Sequence, residues 1–178
     1  MNIGSYSYEE YLHLVKSFHG NLAPGLIIGG FMVDLALKEL PEGELFDAMC
    51  ETPVCLPDAV QILTPCTIGN GWLKIVNFGR FALALYEKNE GQGIRVYMDS
   101  ARLEPWPEIK SWFFKLKSSH AYSLLVDDSN GCACGNERIE LLNIGIGHAH
   151  APLRNLFRES NNRTGSQDIR KASSASNR

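Results

Sequence analysis

The chain has 178 residues, with 17 Lys and Arg against 20 Asp and Glu and a formal net charge of −3, a length that fits one domain plus a small appendage. Apolar residues make up 44% and charged residues 21%, which excludes disorder of the whole chain, and no dense basic patch marks a generic nucleic-acid binder. The longest apolar run, Leu26 to Val33, is broken by Gly29 and Gly30 and is too short to cross a bilayer. The polar opening from Met1 to Glu10 lacks a signal-peptide pattern, so a cytoplasmic location without membrane association is expected.

A first helix is predicted over residues 5–18, with Ser7 as its cap, Glu10 completing a capping box, and Tyr8, Leu12 and Val15 at helical spacing. A turn containing Gly20, Pro24 and Gly25 leads to a second helix from about Leu26 to Leu40, apolar almost all round and so buried on most sides. Leu45 to Cys50 suits an interior strand, and Asp58 to Leu63 a brief helix entered through Pro57. Three strands follow, Trp72 to Asn77, Ala82 to Lys88 and Ile94 to Met98, separated by glycine-bearing turns. The core order is helix, strand, helix, three strands. The last connections are short enough for antiparallel neighbours, which gives an α+β fold with a mixed sheet over residues 5–100.

Residues 101–158 are expected to form an appendage. The pattern predicts in it a helix at about Glu108 to Lys117 with Trp112, Phe113 and Leu116 on its apolar side, a strand from Ala121 to Val126, a turn-rich Cys132-Ala133-Cys134-Gly135 knuckle, and a strand from Arg138 to Ile144. Residues 159–178, rich in Ser, Asn, Arg and Lys, read as a disordered tail.

In a reducing compartment the five cysteines are better read as metal ligands, redox thiols or buried fillers than as a disulfide frame. His19 sits in a Gly/Pro turn ahead of a buried helix, either as a ligand held in a fixed direction or as a residue that only closes the turn. Cys55 lies at the entry of the short helix and Cys66 past its exit, with Asp58 in the first turn. A thiol at a helix start suits a nucleophile or a soft-metal ligand, and the alternative is burial as an apolar side chain, which fits Cys50. Cys132, Cys134, His148 and His150 are of the types that close a tetrahedral zinc site, with Gly145-Ile146-Gly147 as the turn that returns His148, although one residue rather than two separates the thiolates. No Gly-x-Ser-x-Gly and no His-Glu-x-x-His occurs, which disfavours serine hydrolase or zincin chemistry.

Phe18-His19-Gly20 with Pro24-Gly25, Cys55-x-x-Asp58-Ala59-Val60-Gln61, Thr64-x-Cys66-Thr67-x-Gly69-x-Gly71, Phe78-Gly79-Arg80 and Gly93-Ile94-Arg95-Val96 together resemble the formylmethanofuran dehydrogenase E-subunit family over about residues 8–98. The resemblance implies an α+β core similar in architecture to the catalytic domain of glyceraldehyde-3-phosphate dehydrogenase, metal binding with a small zinc finger after the core, and pairing as a homodimer. It also implies that His19, Cys55 and Cys66 are soft ligands with Asp58 as their acidic neighbour. Asn21 and Ala23 stand where the family turn carries a second His and a Cys, and Pro65 and Asn70 where it carries Gly and Lys.

Three functions are expected, the first implied by the resemblance and the others by the residues. One is a zinc-binding accessory protein of molybdenum or tungsten formate and formylmethanofuran metabolism, with room for a small-molecule ligand at the metal. Another is a thiolate-dependent enzyme using Cys55 or Cys66, and the third a binding module whose metal is structural or lost. Trp72, Phe78, Phe81, Tyr86 and Tyr97 on or beside strands supply aromatic surface that a symmetric dimer would bury.

Overall fold

A computed structural model describes residues 1–114 apart from 42, 44 and 90, together with residues 146–150. The chain opens with a two-stranded antiparallel ribbon, β1 (Asn2–Ile3) and β2 (Tyr6–Ser7). Helix α1 (Tyr8–His19) begins at the anticipated capping box: Glu10 N–H donates to Ser7 Oγ at 3.3 Å and Ser7 N–H donates to Glu10 Oε2 at 2.8 Å. Two of the orphan donors of the first turn are thereby satisfied. Gly20, at φ 89°, ends the helix, a conformation glycine adopts without a Cβ clash.

Helix α2 (Pro24–Lys38) starts two residues earlier than the apolar pattern indicates, because Pro24 occupies its first turn, where a missing N–H costs nothing. It is the central element, with eleven residues from Pro24 to Ala36 buried. Three glycines admit three different neighbours. Gly25 lies against Cys55 and Trp112, Gly29 against Leu56 and Ala59, and Gly30 against the Tyr11 ring. The glycines that interrupt the apolar run in sequence are therefore the points of closest packing. Among the described residues no helix is long and apolar enough to cross a membrane.

Strand β3 (Phe46–Cys50), helix α3 (Leu56–Leu63) and strand β4 (Leu73–Ile75) form a crossover unit in which β4 runs parallel to β3. Strands β5 (Ala82–Glu87), β6 (Gly93–Met98) and β7 (Ile146–His150) complete a mixed five-stranded sheet of order β4-β3-β5-β6-β7, its other pairs antiparallel. The short link between β4 and β5 does not make them neighbours. It passes over the end of β3, where the Glu51 carbonyl accepts from Phe78 N–H at 3.0 Å and Arg80 N–H at 3.4 Å, and β5 pairs on the far side. Ala48, Cys50, Leu83, Leu85, Ile94 and Val96 belong to the main core with α2 and α3, as alternation requires. Met49, Ala84 and Tyr86 form a smaller buried cluster on the opposite face.

Beyond β6, a 3-10 turn (Ser100–Leu103) leads to α4 (Pro107–Phe114), which packs on α2. The expected turn at Gly145-Ile146-Gly147 is corrected: Ile146 and Gly147 begin β7 and pair with Met98 and Tyr97. The expected strands at 121–126 and 138–144 and the tail at 159–178 lie outside the described residues.

Candidate functional site

The C-terminal end of α1, the N-termini of α2 and α3, and the segment leaving β3 bring His19, Asp58, Gly25 and Cys55 to one end of the helical layer. His19 is the last residue of α1 and Asp58 the third of α3. His19 Nδ1 lies 2.6 Å from Asp58 Oδ2, and since a carboxylate oxygen accepts, the proton of this bond is on Nδ1. Asp58 Oδ1 also accepts from Gln61 Nε2 at 3.4 Å, one turn further along α3. The Asp58-x-x-Gln61 spacing seen in the sequence thus braces the carboxylate that orients the imidazole. The two side chains keep 26% and 30% of their surface, so the imidazole is fixed yet within reach of solvent.

Cys55 caps α3 at φ 58° and ψ −52°, the one non-glycine residue with positive φ among the described residues. Leu56 N–H donates to the Val54 carbonyl at 2.6 Å, so Val54-Cys55-Leu56 is a γ-turn of the rare positive-φ kind. Such a conformation is strained for a residue with a Cβ, and strain of this sort concentrates at functional sites. The Cys55 carbonyl accepts from the N–H groups of Asp58 and Ala59, which ties the turn to α3. The helix start leads one to expect a stabilised thiolate. Burial prevails instead: with the Asp58 charge adding to it, it pushes the thiol up to about 11, and Cys55 is protonated at neutral pH.

Cys66 does not join this group, contrary to the expectation that His19, Cys55 and Cys66 converge. The eight residues of α3 span about 12 Å, and the two cysteines flank its opposite ends. Cys66 is fully buried, its Sγ 3.5 Å from the Phe46 carbonyl at the start of β3. Burial raises its thiol, the Thr64 hydrogen bond counters, Asp47 raises it further and Lys88 lowers it. Beside it, Lys88 Nζ stands 3.4 Å from the Trp72 ring centre and 3.2 Å from Asp47 Oδ1. That approach is off the hydrogen-bond direction, so Asp47 Oδ1 has an ion-pair partner but no hydrogen bond. Cys50 is a buried core residue, as expected. Among the described residues no group of three or more His, Cys, Asp or Glu side chains is placed to hold a metal ion. Cys132 and Cys134 lie outside the described residues, while the β7 register sets His148 opposite Val96 and His150 opposite Ile94.

Two features were not evident in the sequence. Trp112, which shows there only as part of an apolar helix face, approaches Gly25 so closely that a Cβ at that position would stand 2.6 Å from Trp112 Cη2 and 3.2 Å from Cys55 Sγ. Glu51, 3% exposed, receives Arg95 Nε at 2.5 Å and Nη2 at 2.8 Å, a bidentate pair bridging the end of β3 to β6 across β5. The aromatic residues expected to drive dimerisation are largely engaged within the chain. Tyr86 is buried, Phe81 packs edge-on against Phe113, Trp72 carries Lys88 and Tyr97 faces Arg95, while Phe78 is 55% exposed.

This is an α+β domain in which a carboxylate-oriented histidine and a strained, helix-capping cysteine both stand at the start of the same helix, α3. The family model described as FmdE, molybdenum formylmethanofuran dehydrogenase operon, matches residues 18–125. A tungsten formylmethanofuran dehydrogenase FmdE-like protein from Syntrophus aciditrophicus is 50% identical, with a TM-score of 0.73 over 85% of this chain and 76% of that one. The chain belongs to the FmdE family. A probable S-adenosyl-L-methionine-binding protein of Archaeoglobus fulgidus is 31% identical over 99 residues, 51% of this chain. The match spans 27% of that relative's length.

Proposed function

We propose that this FmdE-family chain is a metal-binding accessory protein of formate or formylmethanofuran one-carbon metabolism, with His19 and Cys55 supplying its core donors. The observation that carries the reading is the 2.6 Å bond between His19 Nδ1 and Asp58. A histidine whose Nδ1 is engaged by a carboxylate offers Nε2 as its ligating atom, the arrangement found behind protein metal ligands. Cys55 adds a sulfur donor. An imidazole and a thiolate suit zinc, and binding would displace the thiol proton. Asp58 is then the orienting partner of a ligand rather than a ligand itself, and Cys66 has no part in the site. Two protein donors leave coordination positions for water or a small-molecule ligand, and zinc there would act as a Lewis acid. Cys132, Cys134, His148 and His150 are proposed as donors of a second, structural zinc. The accessory role rests on family membership.

Cobalt(II), which takes the place of zinc and reports thiolate ligation by an intense near-ultraviolet band, tests the core site in the full chain. Titration of a variant with Cys132 and Cys134 replaced by Ser isolates that site. The band should appear there and in a further Cys66→Ser variant, and be lost in Cys55→Ser and weakened in His19→Ala. A band that survives Cys55→Ser or depends on Cys66 would overturn the assignment.

A further inference from the structure

Trp112 lies outside every motif that marks the site, yet its indole closes the space over Gly25 and Cys55. Two aromatic rings in series hold it there. Phe81, at the entry to β5, meets Phe113 edge-on at 4.9 Å, and Phe113 meets Trp112 edge-on at 4.7 Å. Edge-to-face pairs of this kind add orientation to the area they bury. The last link is steric: Gly25 has no side chain, and the indole edge occupies the volume its Cβ would take, with Cys55 Sγ 3.2 Å from that same Cβ position. Cys55 retains 7% of its surface, while Trp112 is itself only half-buried. The indole edge and the sulfur thus border the same small space beside Gly25.

We infer that Trp112 is the specificity-determining residue of the Cys55 site, restricting access to the sulfur to small ligands such as a metal ion or a one- or two-carbon molecule. The inference deepens the proposed metal site, but it concerns the route to Cys55 and not what finally binds. Two neutral barriers define that route. The Gly25 backbone of α2 is one, and the indole of α4 is the other. Neither carries a charge, so these two barriers select by size, while the Asp58 charge felt at Cys55 acts on any ligand whichever residue stands at position 112. A ligand bulkier than the gap must displace the ring from its contact with Phe113.

The test compares thiol reagents of graded size on the full, metal-free chain, with modification at each cysteine read by peptide mass spectrometry. Methyl methanethiosulfonate is the small probe and 5,5′-dithiobis(2-nitrobenzoate) the large one. In the unaltered protein the small reagent should modify Cys55 and the large one should leave it essentially untouched. In Trp112→Ala the large reagent should react with Cys55 at least tenfold faster, with Cys50 and Cys66 unchanged. Trp112→Phe, which keeps an aromatic contact with Phe113 but loses the ring atom nearest Gly25, should fall between. Unchanged size discrimination in Trp112→Ala would overturn the inference. So would parallel acceleration at Cys50 and Cys66, which would show that α4 only stabilises the fold. Loss of the cobalt band with retained size selection would instead overturn the metal reading alone.

Discussion

Gly30→Ala isolates the contact that sets α1, and with it His19, against α2. An added Cβ would stand 2.6 Å from Tyr11 Cζ and 2.7 Å from both Cε1 and the hydroxyl oxygen, closer than real Cβ contacts. Tyr11 cannot retreat: it is fully buried, and its hydroxyl donates to the Leu26 carbonyl at 2.8 Å. In an open helix the change would gain about 1 kcal/mol of propensity. Against this stand an overpacking cost of about 1–3 kcal/mol and about 1–3 kcal/mol if the displaced hydroxyl is left buried without its acceptor. With both costs the balance is a net loss of about 1–5 kcal/mol. Urea unfolding should show it as a lower midpoint at unchanged slope. Tyr11→Phe removes the hydroxyl but leaves the ring atoms in the way, so it should not rescue Gly30→Ala. Tyr11→Leu should make the added methyl much cheaper, with a coupling of about 1–3 kcal/mol. A neutral or stabilising Gly30→Ala would refute the close approach of α1 to α2.

Four other outcomes are expected. Asp58→Asn should weaken core metal binding about 10–100-fold while leaving the fold intact, read by competition with a chromogenic chelator. Glu51→Ala should destabilise the sheet by about 3 kcal/mol, the lower end for breaking a buried pair, since Arg95 keeps 20% of its side-chain surface; denaturant midpoints measure this. Stability of the metal-free protein should fall as pH rises above about 8.5, where unfolded thiols ionise, because burial pushes Cys50 up to about 12 and Cys55 up to about 11. The unfolded state loses those protons first, so the decline continues up to the folded values and should become shallower in Cys50→Val. Sedimentation should give a homodimer at about twice the 19.8 kDa chain mass, and a monomer at micromolar concentration would exclude pairing.

Local signals carried much of the architecture. Ser7 with Glu10 acts within one turn of backbone and marks a boundary that the fold keeps, whereas Pro24, read as part of the turn, opens α2. The pairing of β4 was not legible, because a short link such as Val76 to Phe81 fits a hairpin and a passage over β3 equally well; the hydrogen bonds to Glu51 decide it. The sequence singled out His19, Cys55 and Asp58, but not that His19 Nδ1 and Asp58 are hydrogen-bonded or that Cys55 is a positive-φ turn residue. Cys55 and Cys66 look equivalent as flanking thiols, and only the length of α3 separates them. Trp112 was unreadable as part of the site because its role depends on the missing side chain of Gly25, 87 positions earlier.

The most direct measurement is an anomalous difference map at the zinc absorption edge, from crystals of the full chain grown with one to two equivalents of zinc. A peak is expected at the head of α2 and α3, about 2.0–2.1 Å from His19 Nε2 and about 2.3 Å from Cys55 Sγ, with Asp58 still on Nδ1 and nothing at Cys66. A zinc-loaded protein whose map is empty at His19, or whose peak sits on Cys66, would contradict the proposed metal site.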